Sequence, residues 1–103
     1  MTDILQLQIS PGADDLVVVT VTGELDLSNR DELAAAAIGL LDDAKKVVID
    51  LSDVTFLDSA AMSALVKIRQ EADRLGAEVR LRGATGRVAE VLGITGLDRW
   101  LAE

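Results

Sequence analysis

Apolar and polar residues alternate from Ile4 to Ile9, with Leu5, Leu7 and Ile9 on one side and Gln6 and Gln8 on the other, the period of a half-buried strand. Ser10-Pro11-Gly12-Ala13-Asp14 has the chemistry of a turn. Leu16 to Val21 is β-branched almost throughout, so it is expected to pair back as an antiparallel hairpin, to sit centrally in the sheet, and to end at Gly23. Glu24 to Leu27 then links to a helix starting near Ser28, with Asp31 as a weak capping partner and Leu33, Ala36, Ala37, Leu40 and Leu41 at helical spacing. Asp42 to Lys46 closes that helix and leads into a third strand. A strand, a helix and a strand in this order predict a parallel, right-handed crossover.

The stretch from Val47 to Leu75 organises the rest. Val47-Val48-Ile49 has the look of a buried strand, and a long helix follows from about Ser59 to Leu75, with Ala61, Leu65, Ile68, Ala72 and Leu75 on its apolar face. Gly76 stops it. Glu78 to Arg82 alternates charged and apolar residues, the pattern of an edge strand that discourages further pairing. Thr85 is the expected cap of a last helix carrying Val88, Val91 and Leu92, with Gly93 as its stop. Ile94 and Leu97 to Leu101 are expected to fold a short turn over the core, seating Trp100. The chain therefore reads as one α/β domain over residues 1–103: a small mixed sheet of about four strands with helices packed mainly on one face.

Composition narrows the function. Half of the 103 residues are hydrophobic but only 2% are aromatic, so the core is aliphatic. Eighteen acidic residues against ten basic ones give a net charge of −8, which repels nucleic-acid phosphates and anionic lipid headgroups. Cysteine and histidine are both absent, removing disulfides, thiol nucleophiles, and thiolate or imidazole metal ligands. No apolar run is long enough to span a bilayer and Met1-Thr2-Asp3 does not open a signal peptide, so a cytoplasmic protein with no membrane insertion is expected.

The chemistry-bearing residues gather around Asp58-Ser59, between strand and helix. Asp26, Asp50, Asp53 and Asp58 offer oxygen ligands for a hard cation such as Mg²⁺, although Asp50 inside a strand and Asp53 in a turn have ordinary structural roles as well. Ser59 as a catalytic nucleophile needs a base; only Lys67 or a carboxylate is present, and the glycines of a serine-hydrolase elbow are missing. As a third possibility, Ser59 is a modification site on a protein-binding surface. A hydroxyl at a helix start is most often only a cap. Asp58 beside it, Asp26 at the same end of the sheet and the small residues through Ala61 favour a surface to be read by another protein, since partners meet α/β sheets at the C-terminal ends of parallel strands.

Gly23-Glu24-Leu25-Asp26 together with the run from Val48 to Ser59 (VIDLSDVTFLDS), and Val88 to Leu97 (VAEVLGITGL), resembles the STAS domain family over essentially the whole chain, most closely the bacterial anti-sigma factor antagonists. The resemblance implies a non-enzymatic partner switch with no cofactor of its own. The unphosphorylated antagonist binds an anti-sigma factor with GHKL-type serine kinase activity and frees a sigma factor. The kinase phosphorylates the serine matching Ser59, and a PP2C-type phosphatase restores it. On this reading Glu24, Asp26, Ser28, Asp58, Ala60, Ala61 and Met62 form the partner face, and the chain is a monomer or weak dimer. Many family members follow the serine with a small hydroxyl residue and then glycine, where this chain has Ala60 and Ala61. The alternative is a STAS subunit of a lipid-transport or signalling-scaffold complex, in which the serine only caps.

Overall fold

The structure, a computed structural model, describes residues 5–12, 14–97 and 99. Among them, four strands form one sheet in the order β1-β2-β3-β4, where β1 is Gln6–Pro11, β2 Leu16–Leu25, β3 Lys46–Leu57 and β4 Glu78–Arg82. β1 pairs antiparallel with β2, and β2–β3 and β3–β4 are parallel. Three helices connect or follow the strands: α1 Arg30–Leu40, α2 Ser59–Leu75 and α3 Gly86–Thr95. The α/β fold with a small mixed sheet is the one the periodicity predicts, with β2 and β3 central and the charged β4 at one edge.

Alternation along the strands decides which face is covered. Val19, Val21 and Leu25 of β2, Val47, Ile49 and Leu51 of β3, and Val79 and Leu81 of β4 share one core with Leu33 and Ala37 of α1, Leu65 and Ile68 of α2, and Val88 and Leu92 of α3. The opposite face carries Thr20, Asp50 and Arg82 in one cross-strand row. α2 owes its sharp bounds to Asp58, whose carboxylate caps the first turn, and to Gly76, which leaves the helix in the left-handed region at φ 71°.

Several boundaries depart from the sequence expectation. β2 does not end at Gly23, which continues the strand at φ 107°, so Glu24 and Leu25 are strand residues. β3 does not turn at Asp53. Pairing with β2 shifts register between Thr20 and Thr22 and again between Gly23 and Glu24, and these irregularities carry β3 through to Leu57. β1 runs into the expected turn as far as Pro11, which an edge strand tolerates, and its Ile9 is 51% exposed. α1 starts after Asn29 rather than at Ser28. α3 passes through Gly93 and stops at Gly96, leaving Ile94 79% exposed instead of covering the core, while Leu97 is buried. Leu75 lies at the rim, 39% exposed. Trp100 and Leu101, like Ile4, lie outside the described residues.

Candidate functional site

β2 and β3 run parallel, so the loop after Leu25 and the start of α2 meet at the same end of the sheet. Asp58 joins them. Its Oδ1 accepts a hydrogen bond from the Ala61 N–H at 2.9 Å, capping α2, while its Oδ2 accepts from the Leu27 N–H at 3.3 Å and its own N–H donates to the Leu25 carbonyl at 3.3 Å. One carboxylate thus ties the loop to the helix.

The loop is internally braced. Asp26 Oδ1 accepts from the Ser28 N–H at 2.9 Å and from Ser28 Oγ at 2.6 Å. Asn29 Oδ1 accepts from the Asp26 N–H at 2.9 Å, and Asn29 Nδ2 donates to the Glu24 carbonyl at 2.8 Å. With its own termini satisfied in this way, the loop holds Leu27 outward, 66% exposed.

Ser59 occupies the first helical position, next to the cap rather than at it. Its side chain is exposed, and among the described residues its hydroxyl makes no hydrogen bond; the Ser59 carbonyl accepts from Ser63 Oγ at 3.1 Å. At 100° per residue the buried Ala61, Ala64, Leu65, Ile68 and Ala72 fix the inward face of α2 and leave Ser59 on the outward crest. A cleft lies on each side of that crest. One, of about 170 Å³, runs between α1 and α2 and is lined by Arg30, Asp31, Ala34, Ser63, Ala64 and Lys67. The other, of about 380 Å³, is apolar and lined by Met62, Ser63, Val66, Thr95 and Leu97.

The expected site residues divide accordingly. Asp26, Ser28, Asp58, Ser59 and Ala60 come together at this end, with Glu24 half-buried at the close of β2 and Met62 in the apolar cleft. Ala61 is a correction: it is fully buried against the sheet, so its methyl cannot touch a partner. The alternative in which Ser59 only caps is not what α2 shows, because Asp58 takes that place. The four aspartates do not converge, and among the described residues no group of three or more could hold a metal ion. Asp50 is engaged elsewhere: Ser52 Oγ and the Ser52 N–H donate to its Oδ1, and Arg82 Nε donates to its Oδ2 at 3.2 Å. These partners, the Ser52 hydroxyl foremost, hold the Asp50 carboxyl below the ordinary value of 3.8. The sequence reading passed over Asn29, whose side chain braces the loop through Asp26 and Glu24 instead of capping α1.

The STAS domain family matches residues 5–102. The chain superposes on an anti-sigma factor antagonist from Mycobacterium paratuberculosis with a TM-score of 0.77 at 28% identity, covering 95% of this chain and 83% of that one. It also matches the unphosphorylated form of the anti-sigma factor antagonist SpoIIAA (TM-score 0.79, 18% identity, 92% of this chain and 84% of that one). A third match is the Bacillus cell fate determinant SpoIIAA in its phosphorylated form (TM-score 0.72, 18% identity, 92% and 87%).

Proposed function

Because the chain belongs to the STAS domain family, we propose that it is an anti-sigma factor antagonist whose docking to an anti-sigma factor is switched by phosphorylation of Ser59. The observation that carries this reading is the exposed Ser59 hydroxyl, relieved of capping by Asp58. A serine that only capped would be spending its oxygen on a backbone N–H.

In the cycle, Ser59 Oγ attacks the γ-phosphorus of ATP held by a GHKL-type serine kinase. ADP leaves, and the serine proton passes to a base on the kinase. The chain is substrate and ligand rather than enzyme, and a PP2C-type phosphatase hydrolyses the ester. The partner covers the loop from Glu24 to Ser28 together with the start of α2. Leu27 and Met62 supply apolar contact around a rim of Asp26, Ser28 and Asp58.

Phosphorylation brings roughly −1.5 to −2 of charge to a helix N-terminus, whose dipole favours it, so the fold tolerates the change. The partner does not. One unit charge about 6 Å from a partner carboxylate costs roughly 1 to 3 kcal/mol at an effective dielectric between water and a protein surface. A doubly charged phosphate, with its bulk in a close interface, lowers affinity by about 10² to 10³.

Mass spectrometry after incubation with the cognate kinase and ATP tests the assignment. Phosphate is expected on Ser59, and none on a Ser59→Ala variant; a Ser59→Ala protein phosphorylated as fast as its parent would end the proposal.

A further inference from the structure

Three arginines are tied to a close carboxylate, Arg69 to Asp73 at 3.3 Å, Arg74 to Glu71 at 2.8 Å and Arg82 to Asp50 at 3.2 Å, while Arg80 and Arg87 pair more loosely, at 4.0 and 3.8 Å. Two cations beside α2 are also held loosely. Arg30 has a 3.8 Å contact with its neighbour Asp31, whose own side chain is 94% exposed. Lys67 has no carboxylate within 4 Å among the described residues and acts on Glu71 only at longer range. Both line the cleft between α1 and α2. In a chain of net charge −8, this cleft sets two positive charges against a single lining carboxylate, Asp31.

On α2 the lining of the cleft begins at Ser63, one turn after Ser59. Ser59, Ser63 and Lys67 follow one another at i, i+4 and i+8 on one ridge of α2, and Ser63 Oγ is already bonded to the Ser59 carbonyl. Helical side chains lean toward the N-terminus, so the Lys67 stem leans toward Ser63, one turn short of Ser59. Arg30 opens α1 at the same end, its N–H donating to the Asp26 carbonyl at 2.9 Å.

We infer that the cleft between α1 and α2 receives the phosphate of phosphorylated Ser59, with Arg30 and Lys67 as its counter-ions within the chain. This rests on the reading of Ser59 as phosphoacceptor and adds where the phosphate goes. The charges opposing it are Asp26 and Asp58 from the loop side and Asp31 and Glu32 in the first turn of α1. A phosphate seated between the two cations keeps its second negative charge at lower pH, so the docking face stays fully repulsive under mildly acidic conditions.

The test is a ³¹P NMR titration of the full chain carrying phosphoserine at position 59, installed during translation. Arg30→Gln and Lys67→Gln are each expected to raise the second pKa of the phosphate by roughly half a pH unit, and the double variant by roughly one. Arg30→Lys, which keeps the charge, should titrate close to the parent. Lys45→Gln removes an equal charge at the far end of β3 and should leave the titration unmoved. Circular dichroism of each variant checks the fold. A double variant that titrates with the parent, or a Lys45→Gln that shifts it equally, overturns the inference. No kinase enters this experiment, so an unmoved titration removes the cleft's role while leaving Ser59 a phosphoacceptor, and a kinase that ignores Ser59 removes the functional reading instead.

Discussion

Asp58 and Ser59 are adjacent and polar, yet the structure gives them opposite jobs. Asp58 holds the Ala61 N–H at 2.9 Å and the Leu27 N–H at 3.3 Å; Ser59 holds nothing with its hydroxyl among the described residues. Asp58→Ala is therefore expected to cost about 1 to 2 kcal/mol and to lower Tm by roughly 5 to 12 °C, while Ser59→Ala stays within about 0.5 kcal/mol of the parent, both read by thermal denaturation. The sequence alone could not divide these roles, since aspartate and serine are about equally good caps and the choice depends on where the strand releases the chain. Asp50 makes a second residue-scale test. Its folded pKa is depressed, by the Ser52 hydroxyl first and also by Arg82, so its contribution to stability is fully present above the unfolded value near 3.8 and is lost as pH falls through the folded one. Urea unfolding at a series of pH values should show Asp50→Asn less stable than the parent at neutral pH, with the gap closing below about pH 4.

At the scale of elements, the long periodic segments were legible and the irregular ones were not. α2 shows its bounds in sequence because Asp58, an unbroken apolar face and Gly76 all agree. β3 hid its length. Leu51 to Phe56 mixes polar and apolar residues at a register irregularity, and a bulge breaks the period-2 signal on which strand assignment depends. α3 misled through Gly93, a helical glycine with no stop function, whereas Gly96 at φ 81° ends the helix. Glycines in different settings give a paired expectation. Gly83 sits at φ 80°, and a Cβ there would lie 2.9 Å from Asp50 Oδ1 and 3.2 Å from the Ser52 backbone nitrogen. Gly83→Ala should cost more than about 1 kcal/mol. Gly39 lies within α1 with nothing within 4 Å of an added Cβ, so Gly39→Ala should gain up to about 1 kcal/mol. Chemical denaturation of the two variants measures both.

For the whole molecule, topology does the assembling. Parallel pairing of β2 with β3 brings the loop of Leu27 and the crest of α2 to one end, and an apolar and a basic cleft flank the crest. Leu27 and Asp58, 31 positions apart in sequence, become part of one surface, which explains why the loop and the serine were each visible in sequence while the two clefts were not: a cleft belongs to the packing of helices, not to any run of residues. Among the described residues no helix is long and apolar enough to cross a membrane. The claim that one serine governs this surface is tested most directly by calorimetric titration of the cognate anti-sigma factor with the chain before and after phosphorylation of Ser59. The expected result is tight binding before and a Kd about 10² to 10³ higher after, with the circular dichroism spectrum unchanged. Equal affinity for both forms would contradict it.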